Sequence, residues 1–307
     1  MIHRETRGVY IIAATPFAED GALDLAGVDR LVAFYEARGV CGITILGVMG
    51  EAPKLAPEEA RAVAGRFLAR ARVPVVVGVS APGLDALAGL GRFAMDQGAA
   101  GVMVAPPTGL GPEDRVRAYV HDVCEALGDD VPLCLQDYPQ LTGVKLSVDT
   151  ILRLTREAPQ LVMLKHEDWP GLAKLSRVRA ESGSAETPRL SILCGNSGLF
   201  LPQEMARGAD GAMTGFAFPE MLVGVVEKAA GGDHDAAEDL FEAYLPLIRH
   251  DAQPGLGLAL RKETLRRRGA LASARARAPA PQLTPQDHEE LTRLIARMEA
   301  RVAALAS

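Results

Sequence analysis

Short apolar runs rich in β-branched residues recur along the chain, at residues 9–14, 42–47, 75–80, 101–105, 131–136, 161–165, 190–195 and 211–215. Each carries Gly or Pro at or near an end, the pattern of a parallel strand buried on both faces. The runs start 21 to 33 residues apart, which leaves room for one helix between each pair. The intervening segments repeat apolar residues at helical spacing. Residues 25–38 place Leu25, Val28, Leu31, Val32 and Tyr35 on one face. Pro57-Glu58-Glu59 and Pro112-Glu113-Asp114 open two further helices with proline and then acids, and Ser147 stands where a cap belongs before 148–156.

Eight strand-then-helix units predict either an α/β (β/α)8 barrel or a long doubly wound sheet. A dinucleotide fold would show G-x-G-x-x-G after its first strand, whereas here that strand runs into Thr15-Pro16-Phe17. The barrel is therefore the predicted fold, over residues 1–230. No strand candidate follows Pro219, so residues 231–307 are predicted as a C-terminal helical region. In its last helix Leu291, Leu294, Ile295, Met298, Val302 and Leu305 form one apolar stripe, suited to docking on the barrel or to a subunit contact. The basic residues Arg261, Lys262, Arg266, Arg267 and Arg268 read as a solvated helix face.

Composition narrows the function classes. The chain has 307 residues, is 48% hydrophobic and carries a net charge of −6. Disorder is excluded, and a general nucleic-acid binder would be basic. The run at 9–14 is short for a signal-peptide core, and no run reaches the length that spans a bilayer. The expectation is a cytoplasmic protein with no nucleic-acid or membrane partner. Cys41, Cys124, Cys134 and Cys194 lie far apart and read as buried small hydrophobes. No cluster of His, Asp or Glu has metal-ligand spacing, so neither a metal nor a cofactor is expected.

In a (β/α)8 barrel the chemistry sits at the C-terminal ends of the strands. Strand 2 is followed by Gly47-Val48-Met49-Gly50-Glu51. Its two glycines allow close backbone approach, and its N–H groups suit a carboxylate. Glu51 reads as a structural residue of that loop. Lys165 follows Leu161-Val162-Met163-Leu164, an apolar strand in the barrel wall. Burial there favours the neutral amine, which can attack a ketone to form a Schiff base. The other reading of Lys165 is an ion pair with Glu167 or Asp168. Strand 5 ends in Gln136-Asp137-Tyr138-Pro139, strand 7 in Gly195-Asn196-Ser197-Gly198, and strand 8 in Thr214-Gly215.

Together these motifs carry a resemblance. Thr15-Pro16-Phe17 with Asp20-Gly21 and Leu23-Asp24, the loop at 47–51, Pro139 with Thr142-Gly143, and Lys165 resemble the dihydrodipicolinate synthase / N-acetylneuraminate lyase family in order and spacing. The likeness runs from residue 9 to about residue 282. It implies a (β/α)8 barrel with a helical C-terminal region, class I aldolase-type chemistry, and a Schiff base between Lys165 and a 2-oxo acid. It also implies a homotetramer, with the substrate carboxylate on the amides of Val48 and Met49.

The departures from that pattern redirect the function. Val48 and Met49 stand where most of the family carries hydroxyls, and Gln136 stands at the usual tyrosine. Leu141 replaces the arginine by which the synthases bind a second carboxylate. Pro107 and Thr108 replace the aromatic hydroxyls of their proton relay. Glu167, two residues after Lys165, should point the same way from an extended strand and can take a C3 proton. Ser197 can assist a departing hydroxyl. This combination resembles the 2-keto-3-deoxy sugar acid (L-2-keto-3-deoxyarabonate) dehydratase branch. The expected catalytic residues are Lys165, Glu167, Ser197 and Tyr138. The expected substrate contacts are Val48, Met49, Gln136, Asp137 and Thr214. Asp137 reads equally as a loop cap, and His166 as a residue packed under the helices. Two alternatives stay open: a pyruvate-releasing aldolase in which Tyr138 serves as the family tyrosine, and a catalytically weak 2-oxo-acid-binding protein.

Overall fold

The eight apolar runs pair in parallel, each with the next, and the last closes on the first. The computed structural model describes residues 1–305. Its strands are β1 (Gly8–Ile12), β2 (Gly42–Ile45), β3 (Val75–Gly78), β4 (Gly101–Val104), β5 (Leu133–Asp137), β6 (Leu161–His166), β7 (Ser191–Cys194) and β8 (Gly211–Ala212), in a closed barrel of sequential order. The predicted (β/α)8 barrel is the fold. Several strands stop short of the apolar runs that announced them. At the end of β2 the reason is local: Leu46 takes φ 55° and Glu51 φ 53°, left-handed backbone that turns the chain out of the ladder. After β7, Asn196 (φ 50°) and Ser197 (φ 58°) do the same. Four non-glycine residues thus hold left-handed backbone at the mouth of the barrel.

The helices cover the barrel as their periodicity predicts. Leu25–Glu36 starts at Asp24, whose side chain accepts from the Gly27 amide at 2.8 Å, and it buries Val28, Leu31, Val32 and Tyr35. Val148–Glu157 starts at Ser147, whose hydroxyl accepts from Thr150 N at 3.2 Å. At the opposite end of the barrel from the mouth, Asp210 pairs with Arg179 and Arg189 and accepts from Ile192 N at 2.9 Å. Groups on that face of such a barrel serve stability.

The C-terminal helices His234–Asp251, Gly257–Arg267 and Pro285–Leu305 build no second core. Leu291 and Met298 are buried in the same continuous apolar cluster as the barrel, each contributing about 2 kcal/mol of burial. Leu294, Ile295 and Val302 are half-buried and Leu305 is exposed, so the stripe docks on its own chain. Among the described residues no helix is long and apolar enough to cross a membrane.

Two sequence expectations change. Cys124, Cys134 and Cys194 are buried, but Cys41 is exposed, since its side chain lies at the outer edge of the barrel beside Gly8. The basic residues of Gly257–Arg267 are not one solvated face. Arg266 and Arg267 are exposed and hold Glu263, whereas Lys262 is fully buried and Arg261 is turned into the barrel mouth. Consecutive residues on a helix point about 100° apart, so one run of basic residues serves several environments.

Candidate active site

The register of β5 against β6 sorts the site residues. Gln136 pairs with Lys165 and Asp137 with His166. Alternation along a strand sends the first pair into the barrel and the second outward. Lys165 is buried, and its Nζ lies 3.0 Å from Glu167 Oε2. Gln136 Nε2 donates to the same oxygen at 2.6 Å. Asn196 N donates to Glu167 Oε1 at 3.3 Å, and Asn196 Nδ2 donates to the Glu167 carbonyl at 3.1 Å. One buried carboxylate is therefore held by groups from β5, β6 and the turn after β7. Gly195 makes room for it, because a Cβ there would overlap the Glu167 carboxylate.

Asp137, expected to touch substrate, faces away from the mouth. It is buried, accepts from Lys174 Nζ at 2.5 Å, and lies 3.8 Å from His166 Nδ1. Lys174 also reaches Asp168 at 3.1 Å, and His166 Nε2 lies 3.1 Å from the Gly171 carbonyl. These residues form a polar layer between the strands and the helix Leu172–Glu181. The cause is strand alternation: a residue next to an inward Gln136 must point outward.

Tyr138 is half-buried at the start of the short helix Pro139–Thr142. Burial raises its phenol pKa, the Glu167 charge raises it further, and the Arg261 charge opposes both. Thr214 is buried just past β8, its carbonyl accepting from Ile12 N at 2.9 Å. Gly215 follows, where a Cβ would overlap Met49 Sδ.

The loop after β2 is fixed from below. Thr15 Oγ1 donates to the Gly50 carbonyl at 2.6 Å. Glu51 is buried and accepts from Lys262 Nζ at 2.7 Å, Lys54 Nζ at 3.0 Å and Arg277 N at 2.9 Å. Burial lowers the Lys262 pKa, the Glu51 charge opposing it, and its Nζ stands 4.5 Å over the Phe17 ring. Glu51 thus ties the loop to the C-terminal region. Among the described residues the amides of Val48 and Met49 meet no acceptor, while Val48 is exposed and Met49 buried.

Sequence reasoning missed Arg261. Its side chain, only 12% exposed, donates through Nη2 to Ser197 Oγ at 2.8 Å and through Nε to Asp251 Oδ2 at 2.8 Å. Its Nη1 lies 3.5 Å from Met49 Sδ. Periodicity within the tail cannot show that a helix 64 residues after Ser197 folds back over the barrel mouth. Asn196 was also missed, although it stands next to Ser197 at the end of a strand.

Behind β7, Glu204 is buried with Oε2 unpartnered. Burial pushes its carboxyl from the ordinary 4.5 up to about 7, with His166 opposing. A carboxyl raised in the fold favours the folded state below its ordinary pKa, and that benefit is lost as pH rises through 7. Glu204→Gln is therefore expected to flatten the pH dependence. Between pH 4.5 and 7.5 the native protein should lose on the order of 3 kcal/mol more than the variant in urea unfolding. Parallel losses in both proteins would contradict the raised carboxyl.

The Dihydrodipicolinate synthetase family profile matches residues 5–298. The chain belongs to that family. It is 32% identical over 301 residues to L-2-keto-3-deoxyarabonate dehydratase of Azospirillum brasilense, covering 95% of this chain and 94% of the relative. It is 31% identical over 304 residues to 4-hydroxy-tetrahydrodipicolinate synthase of Methanosphaerula palustris, covering 94% and 98%. A crystal structure of a dihydrodipicolinate synthase from Rhodopseudomonas palustris superposes with a TM-score of 0.95 at 49% identity, covering 96% of this chain and 99% of that one. As a member of the family the protein is a lyase.

Proposed function

We propose that this lyase forms a Schiff base through Lys165 and dehydrates a 2-keto-3-deoxy sugar acid such as L-2-keto-3-deoxyarabonate. The observation that carries this reading is the Glu167 carboxylate, 3.0 Å from Lys165 Nζ and bonded to Gln136 where aldolases of the resemblance carry tyrosine. The amides of Val48 and Met49 hold the substrate carboxylate, and Thr214 lines the same mouth. The Lys165 ammonium gives up a proton, and its free amine attacks C2 of the 2-oxo acid. That proton passes to the C2 oxygen, which leaves as water and gives the iminium, with Glu167 still a carboxylate. The imine acidifies C3–H by drawing its electron pair toward nitrogen. Glu167 then removes the C3 proton, and the 4-hydroxyl departs as water with help from Ser197. The dehydratase among the relatives supports this substrate class.

The synthase names among the relatives point to another substrate. Leu141, half exposed, cannot supply the arginine those enzymes use, and Pro107 and Thr108 cannot supply their relay hydroxyls. A second reading is a pyruvate-releasing aldolase, favoured by the half-buried Tyr138, whose phenol feels the Glu167 charge. Product analysis separates the two. Loss of one water with the carbon chain intact is the expected result; pyruvate plus an aldehyde makes the protein an aldolase. The same resemblance supports a homotetramer, checked in solution by light scattering.

A further inference from the structure

We propose that Arg261 acts through Ser197, holding its oxygen and sharpening its acidity so that Ser197 protonates the departing 4-hydroxyl; this rests on the dehydratase reading above. An arginine has donors and no acceptor. In the 2.8 Å contact Arg261 Nη2 therefore donates and Ser197 Oγ accepts. The serine's own proton is left free to point at substrate. The turn after β7 holds Ser197 at φ 58°. Asp251, buried at the end of His234–Asp251, holds the guanidinium through Nε at 2.8 Å. Nη1 meets only a thioether, Met49 Sδ at 3.5 Å, among the described residues. A thioether is a weak acceptor, so part of the cation stays available to charge developing at the mouth. Gly215 keeps that space open, since a Cβ there would stand 3.3 Å from Nη1.

The step balances without any co-reactant. Glu167 takes the C3 proton, and the C–H pair forms the C2–C3 double bond while the iminium nitrogen accepts its π pair. The nitrogen pair then re-forms C2=N, the C2–C3 π pair shifts to form C3=C4, and the C4–O bond breaks with its pair going to oxygen. The departing oxygen takes the Ser197 Oγ proton and leaves as water. Arg261 holds the resulting alkoxide until the released water carries the Glu167 proton back to it. Arg261 is thus a positioning residue for the acid.

The test compares a 4-hydroxy substrate with its 4-fluoro analogue, because fluoride departs without a full proton transfer. Arg261→Ala is expected to lower kcat on the 4-hydroxy substrate by about 100-fold with KM changed by less than about threefold, the size of a lost general acid. On the fluoro analogue the loss should stay within about fivefold. Borohydride trapping of pyruvate on Lys165 should be unchanged. If Arg261→Ala does not fold, Arg261→Lys on the same two substrates carries the comparison, with the same preference for the fluoro analogue. Equal losses on both substrates, or a rise in KM alone, would overturn the role of Arg261 and leave the dehydratase reading standing. A wild-type protein that traps pyruvate yet dehydrates no 2-keto-3-deoxy sugar acid would remove the dehydratase reading itself.

Discussion

Lys165→Ala is expected to abolish turnover, with kcat falling by about 10⁴-fold or more, because the variant has no amine to carry the imine. The argument is positional as well as chemical. Lys165 sits on β6 opposite Gln136 of β5, buried in the barrel wall, so no neighbouring strand offers a second lysine at that level. Lys174 stands on the outer face, engaged by Asp137 and Asp168. Incubation with pyruvate and borohydride should add mass to Lys165 in the native protein and none to the variant. Removing one partner of a buried pair leaves the other charge exposed to a desolvation cost. Here Gln136 and Asn196 still bond Glu167, so the fold should persist at somewhat reduced stability. An adduct on the variant, or residual turnover near the native rate, would show that another amine carries the substrate.

Glu167→Gln separates the two halves of the proposed reaction. The amide keeps the shape of the carboxylate and fits the space that Gly195 leaves. It cannot take a proton from C3. Imine formation with pyruvate should therefore survive, and dehydration should fall by about 10²- to 10⁴-fold, the range of a lost general base. Intact trapping with stalled dehydration is the expected pair of results. A variant that dehydrates at the native rate would remove Glu167 as the base. A variant that no longer traps pyruvate would instead place the main duty of Glu167 in freeing the Lys165 amine.

Much of the barrel was legible in the chain. A strand buried on both faces must be apolar throughout, and helices on its outside must repeat every three to four residues, so composition and period betray both. Lys165 was legible because an ammonium at the end of an apolar strand is costly to bury and needs a reason. Glu167 was legible because two residues along an extended strand return to the same face, and the 3.0 Å pair bears out that geometry. The same rule, applied to Asp137, should have turned it outward, since Gln136 next to it points in. Strand ends were less legible, because the left-handed residues Leu46 and Asn196 stop the ladders and neither is a glycine.

By itself the sequence determined the eight-unit barrel, the family, and the inward-facing pair of Lys165 and Glu167 on one strand. These depend on local periodicity and on the short spacing between residues of one strand. Only the tertiary structure decided which basic residues of the tail are solvated and which serve the mouth. Arg261 reaches Ser197, and Lys262 reaches Glu51, across 64 and 211 residues of chain. No pattern within Gly257–Arg267 encodes those partners, because they are brought together by the closure of the barrel and the docking of the C-terminal helices upon it.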